Sequence, residues 1–258
     1  MLSNKTVVPC GLCVECRNKL RNEWTARLHI EHKHARYSEF TTLTYSDENL
    51  VYDSENPTLY KPDLQNFMKR LRRRNEGNKI RFYGIGEYGD KFGRPHYHLL
   101  LFSNFPIKHV EKAWGKGNVH RDDVTPASIH YCTGYIRKQL HHELVEKAKA
   151  RANGETWEPV RQSPFSLMST RPSIGYQYIT YKNYRYHITN MKNTMFINGR
   201  DVPLPRYYRE RFFAKPSREL LAKTAADIAL ETDYKTRDKE KLGKIKKEKQ
   251  FKNKRKDV

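Results

Sequence analysis

The sequence predicts an α+β fold: an antiparallel sheet with helices on one face, an N-terminal helix before it, and a helical, basic extension after it. Three observations lead there. Residues 38–45, 79–89, 95–102 and 117–124 are rich in branched and aromatic residues, the composition of strands. Between them, segments opening near Pro62, Pro106 and Pro126 carry helical patterns, each with proline at a position that suits a first turn. The connection Gly89-Asp90-Lys91-Phe92-Gly93 is short enough to fold two of the strands back on each other as a hairpin. The order β, α, β, β, α, β, α then suits an antiparallel sheet.

Taken in order, residues 1–36 form a cysteine-containing helical segment, with a helix expected from about Val14 to His34 on a Trp24/Leu28 apolar stripe. Cys10, Cys13 and Cys16 are a candidate Zn²⁺ cluster. Cys13, Cys16, His29 and His34 also fit the C-x2-C-x12-H-x4-H spacing of a zinc finger, although Leu20 and Ala26 would fill its interior with no aromatic residue between the pairs. Residues 37–152 form the core. In it, residues 52–59 read as a loop, and the helix after Pro62 buries Leu64, Phe67, Met68 and Leu71. Lys69, Arg70 and Arg72–Arg74 crowd the end of that helix, where they suit its dipole and can grip phosphate. The helix from Pro126 runs to about Ala150, stopped by Asn153-Gly154. Residues 153–215 form an accessory lobe packed on the core. Tyr176 to His187 interleaves aromatic and basic residues there, which suits either base stacking or core packing, and Asn198-Gly199 marks a hairpin between 194–197 and 200–203. Residues 216–258 form a helix passing into a Lys-rich tail. Within it, 235–256 carry 12 basic and 3 acidic residues, a net +9.

Chemistry concentrates on the hairpin. His96 and His98 alternate with Tyr97 on a strand, so both imidazoles share one sheet face. Folding the hairpin brings Glu87 beside them. Two imidazoles and a carboxylate leave open positions on a divalent ion, Mg²⁺ or Mn²⁺, that must also hold a substrate phosphate. On the helix from Pro126, Tyr131, Tyr135 and Lys138 fall at i, i+4 and i+7, on one face. A phenol with a pKa of about 10 attacks poorly until a cation stabilises the phenolate, so tyrosines beside a metal form a nucleophile constellation. The same pattern also fits tyrosines that pack a helix onto a sheet.

The partner follows from charge. The chain holds 50 Lys and Arg against 29 Asp and Glu, a net +21 over 258 residues, which implies a polyanion and most simply nucleic acid. Neither a long apolar run nor a signal-like start is present, so no membrane is expected, and four cysteines in a reducing cytosol do not suggest a disulfide framework. No phosphate-cradling glycine loop or ATPase signature occurs.

Glu87, His96-Tyr97-His98 and Tyr135-x-x-Lys138 resemble the HUH endonucleases. More narrowly, the chain is similar to the replication initiators of Microviridae, the gokushovirus-like single-stranded DNA phages. The matching stretches are Pro9-Cys10-Gly11-Leu12-Cys13 with Cys16-Arg17, Thr42-Leu43-Thr44-Tyr45, Gly86-Glu87-Tyr88-Gly89, Arg94-Pro95-His96-Tyr97-His98, Arg171-Pro172-Ser173-Ile174-Gly175 and Pro205-Arg206-Tyr207-Tyr208. The resemblance implies a ferredoxin-like palm. It also implies a metal-dependent nickase that makes a 5′-phosphotyrosine at a phage origin and can rejoin the ends. Its partners would be single-stranded and replicative-form DNA and the host helicase and polymerase, in the bacterial cytoplasm. Relatives with two active tyrosines place a lysine three residues after each. Here Lys138 follows Tyr135 but Gly134 follows Tyr131, which makes Tyr135 the expected nucleophile and Tyr131 a candidate second. Arg94, Arg72, Arg73, Arg137 and Thr44 are the candidate DNA contacts. A plasmid relaxase, a transposase or a non-enzymatic basic DNA-binding module are the alternative readings.

Overall fold

A computed structural model describes residues 11, 13–154, 156 and 161–231, without the side chains of 136–146, 148 and 225–231. The Lys-rich tail beyond residue 231 and Cys10 lie outside the described residues. The chain runs α1 (Val14–His34), β1 (Tyr37–Thr44), β2 (Tyr52–Asp53), β3 (Asn56–Pro57), α2 (Lys61–Arg74), β4 (Arg81–Tyr88), β5 (Pro95–Ser103) and α3 (Val110–Trp114). It continues through β6 (Val119–Asp123), α4 (Pro126–Ala152), β7 (Phe165–Met168), α5 (Tyr181–Thr189), β8 (Thr194–Ile197), β9 (Arg200–Pro203), α6 (Arg206–Phe212) and α7 (Lys215–Glu231). Among the described residues one five-stranded antiparallel sheet has the order β6-β1-β5-β4-β7.

The α+β class and the antiparallel sheet are as expected, but helices cover both faces of the sheet, where the sequence reading put them on one. The reason lies in β4 and β5, which are apolar at consecutive positions and therefore need cover on both sides. Tyr97, Leu99 and Leu101 point with Leu43 and Phe82 toward Leu64, Phe67, Met68 and Leu71 of α2 and Trp114 of α3. Leu100 and Phe102 point with Tyr83 and Ile85 the other way, toward Leu28 of α1 and Ile129 and Cys132 of α4. The second of these layers carries the candidate site.

Local sequence explains the elements that hold it. The Thr125 hydroxyl accepts from the Ser128 amide and the Ser128 hydroxyl from the Thr125 amide, a reciprocal cap with Pro126 at the first turn of α4. Thr133 of α4 meets Thr25 of α1, Oγ1 to Oγ1, at 2.9 Å, which ties the two helices together in a buried contact. Gly117, at φ +150°, lets the turn into β6 pass so close to β1 that a Cβ there would lie 2.2 Å from the Thr44 carbonyl oxygen. The Asn198-Gly199 turn is left-handed at both residues, φ 48° and 77°, and joins β8 to β9 as the dipeptide predicts.

The zinc finger does not form. Cys16 and His29 lie on one continuous helix, and thirteen residues at 1.5 Å each separate them by about 20 Å. The expected loop at residues 52–59 contains the short β2–β3 ribbon, and β7 is an additional edge strand.

The Arg171–Gly175 and Pro205–Tyr208 motifs build a second buried junction. Arg81 pairs with Glu31, which is 1% exposed, and also donates to Pro172 O at 2.8 Å. The Gly175 amide donates to Glu31 Oε2 at 2.7 Å, Arg27 Nε donates to Ile174 O at 2.9 Å, and the Tyr208 hydroxyl donates to Gly175 O at 2.7 Å. One carboxylate thus joins α1, β4 and the loop after β7, and Tyr208 adds α6.

Candidate active site

In the β4–β5 ladder Glu87 lies directly across from His96 and Ile85 across from His98, so both imidazoles and the carboxylate emerge on the α4 face. On the other side, β1 pairs Thr44 with His96 and Thr42 with His98. The hairpin is closed by the Gly89 amide donating to Arg94 O at 2.9 Å, with Gly93 at φ +60° in the turn.

Glu87 Oε1 lies 2.9 Å from the Nε2 atoms of both His96 and His98. The Tyr131 hydroxyl donates to the same oxygen at 2.9 Å and lies 3.3 Å from His98 Nε2. The Tyr135 hydroxyl donates to that of Tyr131 at 2.9 Å. The sequence therefore placed the right groups together, and the structure adds their order: Tyr131 touches the cluster and Tyr135 stands one hydrogen bond behind. Lys138 is on the same helix, but its side chain and that of Arg137 lie outside the described residues.

The donor set fits a cation. One ligand atom from each of Glu87, His96 and His98 lies within 4.8 Å of the others, and these three form the sole such group among the described residues. Glu87 is 3% exposed, and its Oε2 is buried with no hydrogen-bond partner. The outer nitrogens are held from behind, His98 Nδ1 by Thr42 Oγ1 at 2.9 Å and His96 Nδ1 by Arg94 O at 3.1 Å, which turns both Nε2 atoms inward. Phe40 stacks on His98 with ring centroids 5.5 Å apart.

The cluster's charges lean on one another. Burial opposes charging His96, but its hydrogen bond to Glu87 outweighs this and raises its pKa. His96 Nδ1 faces a carbonyl and Nε2 a carboxylate, so with no ion bound both nitrogens donate and the ring is an imidazolium. Burial would raise the Glu87 pKa, yet the two histidines bring it below the usual carboxylate value. Burial and the Tyr135 and Glu87 contacts push Tyr131 well above an ordinary phenol, and burial pushes Tyr135 up to about 12. Both phenols are protonated at neutral pH and need a cation nearby to react.

The candidate DNA contacts separate. Arg94 is engaged with Asp47 and donates to Tyr45 O at 2.9 Å, so it braces the hairpin while its carbonyl orients His96. Thr44 flanks His96, and its hydroxyl donates to Asn118 O at 3.3 Å. Arg72 sits at the other end of β4, donating to Ile80 O at 3.1 Å, and Arg73 is exposed one residue on. The orienting role of Thr42 and the stack of Phe40 on His98 are visible only through the β1–β5 register. Their one sequence signal is alternation with Thr44 along β1. Thr42→Val keeps the strand's branched shape and removes the oxygen behind His98. It is expected to weaken divalent-ion binding by about 10–100-fold with little change in unfolding midpoint, read by titration calorimetry with Mn²⁺.

Residues 38–140 match the family model of the ORF2-type replication-associated proteins. That stretch runs from β1 into α4 and contains Glu87, His96, His98, Tyr131 and Tyr135. The chain is 28% identical over 228 residues to replication-associated protein VP4 of Bdellovibrio phage phiMH2K, covering 78% of this chain and 66% of that one. It is 34% identical over 156 residues to replication-associated protein ORF2 of Spiroplasma virus 4, covering 52% and 48%. It is 28% identical over 157 residues to replication-associated protein ORF4 of Chlamydia phage 1, covering 52% and 38%. The chain thus spans less than two thirds of the length of each. The resemblance to phage replication proteins read from the motifs is borne out. Among the described residues no helix is long and apolar enough to cross a membrane.

Proposed function

We propose that this protein acts in the initiation of phage replication as a strand-specific DNA nickase of the rolling-circle type. The supporting observation is the buried Glu87–His96–His98 cluster with two tyrosine hydroxyls hydrogen-bonded in series behind it. It falls within the stretch shared with replication-associated proteins.

Glu87, His96 and His98 would hold Mg²⁺ or Mn²⁺, and the chemistry such an ion supplies is withdrawal of charge from a phosphate oxygen. The chain's own residues do the rest. A tyrosine oxygen attacks the scissile phosphorus and forms the Tyr–O–P bond as the P–O3′ bond breaks, leaving a protonated 3′-hydroxyl for a host polymerase. Tyr131 already directs its proton at Glu87 Oε1, and Tyr135 directs its own at the Tyr131 oxygen. The phosphotyrosine conserves the energy of the broken bond, so a later attack by a 3′-hydroxyl rejoins the ends without ATP. Two phenol oxygens 2.9 Å apart are close enough to address the same phosphate in alternation, one for the first cut and one for the second. Lys138 would neutralise phosphate or phenolate from the next turn of α4. The backbone must enter between α4 and the sheet, so the substrate is single-stranded or melted origin DNA. The place of action is the host cell, beside its helicase and polymerase.

The test is a single-stranded oligonucleotide carrying a candidate origin, incubated with the protein and Mn²⁺ and run on a denaturing gel. A covalent adduct that disappears on chelation is expected. Tight binding with no adduct, while a control nuclease cuts the same oligonucleotide, would overturn the nickase in favour of a binding module.

A further inference from the structure

At the end of the sheet remote from the candidate site, a cleft of about 410 Å³ lies between the C-terminal end of α2, the start of β4 and the loop after β7. Arg72, Lys79, Arg81 and Arg171 line it, and no carboxylate does. Arg81 is committed to Glu31. Lys79 and Arg171 are exposed, and their side chains make no ion pair among the described residues. Arg72 lies over the Phe82 ring, 5.5 Å from its centroid. Burial first, and the Arg81 charge second, lower its affinity for its proton, so an anion entering the cleft would relieve an existing repulsion. An aromatic surface adjoins the cleft. The Arg81 guanidinium carbon lies 5.1 Å from the centroid of the Tyr176 ring, which is 39% exposed. Five residues on, α5 presents Tyr181, Tyr184 and Tyr186 to solvent with Arg185 among them.

We infer that this cleft and the tyrosines beside it are a second binding site for single-stranded DNA, separate from the Glu87–His96–His98 centre. Phosphates sit against Arg72, Lys79 and Arg171, and a base stacks on Tyr176. Cations without carboxylates select a polyanion, and exposed rings beside them select unpaired bases over a closed duplex. Arg81 and Glu87 mark the two ends of β4, six residues and about 20 Å apart at 3.3 Å per residue. At about 3.4 Å per phosphate that gap corresponds to roughly six nucleotides, so a strand engaged at the metal centre must be longer than this to reach the cleft. The chain would thus hold its substrate at two points, one for chemistry and one for grip.

The inference extends the proposed nickase and is tested apart from it. Affinity for labelled oligonucleotides of 6 and 20 nucleotides is measured by fluorescence anisotropy in EDTA, on a Tyr131→Phe/Tyr135→Phe background where nicking plays no part. Lys79→Ala/Arg171→Ala is expected to bind the 20-mer roughly tenfold more weakly and to lower its log–log salt slope by about 1.4, two phosphate contacts at about 0.7 each. The 6-mer should be unaffected. A matched pair of lost cations, Lys69→Ala/Lys112→Ala, should keep the parent affinity, and equal melting curves should confirm intact folding. Tyr176→Ala should weaken the 20-mer without changing the salt slope. Unchanged 20-mer affinity in Lys79→Ala/Arg171→Ala would overturn the second site. So would equal losses for both lengths or in the matched control, because a diffuse positive field would then explain them.

Discussion

Glu87→Gln is expected to slow strand nicking about a thousandfold while single-stranded DNA binding stays within a fewfold of the parent protein. One carboxylate oxygen serves three groups here: it lies 2.9 Å from both imidazole Nε2 atoms and takes the Tyr131 proton. Glutamine preserves shape and volume but carries no negative charge and can present only one acceptor oxygen. The variant therefore loses an anionic ligand for a divalent ion, the partner that holds His96 charged in the ion-free protein, and the acceptor that aims Tyr131. Folding should survive, because the buried carboxylate replaced is itself costly to desolvate. Two readouts separate the possibilities: single-turnover nicking rates and the number of Mn²⁺ ions bound per chain. Nicking at the parent rate with Mn²⁺ still bound would remove Glu87 from the mechanism.

Glu31→Gln is expected to destabilise the fold by about 3–5 kcal/mol, a large share of a domain's total stability. The Arg81 guanidinium is left charged and almost fully buried, at 8% exposure, with no compensating anion. Two further connections pass through the same carboxylate, the Gly175 amide and, through Arg81, the Pro172 carbonyl. Gly175 has no room to adapt. It has φ +76°, and a Cβ there would lie 2.6 Å from the Tyr208 hydroxyl and 2.8 Å from Arg27 O. Urea unfolding gives the number. The double variant Glu31→Gln/Arg81→Met should recover part of the loss, since removing both charges removes the uncompensated one. A Glu31→Gln midpoint equal to that of the parent would show that the junction is not held by charge.

These two residues also mark what the sequence revealed and what it withheld. The metal cluster was legible because strand alternation fixes His96 and His98 on one face and a short hairpin brings Glu87 back beside them. The tyrosine pair was legible through helical spacing and the Thr125–Pro126 start. The order of the two hydroxyls was not. It depends on how α4 is tilted over the sheet, set by the buried contacts of Ile129 and Cys132 and the Thr25–Thr133 link. Glu31 gave no signal, because a glutamate inside a basic helix reads as a solvated residue until α1 is packed against β4. The helices on both faces were missed for a related reason. Continuous apolar runs such as Leu99–Phe102 were read as strand composition, though they also mean burial on two sides. Arg72 shows the opposite error: a basic residue expected at the catalytic centre lies at the far end of the strand.

The most direct test of the central claim is the yield of covalent protein–DNA adduct from Tyr131→Phe, Tyr135→Phe and the double variant, each with Mn²⁺ and a cuttable single-stranded origin. Two oxygens hydrogen-bonded to each other beside one cluster predict reduced adduct from each single variant and none from the double. Abolition by one substitution alone would keep the nickase and end the alternation. An adduct formed by the double variant would contradict the account, because the nucleophile would then lie elsewhere in the chain.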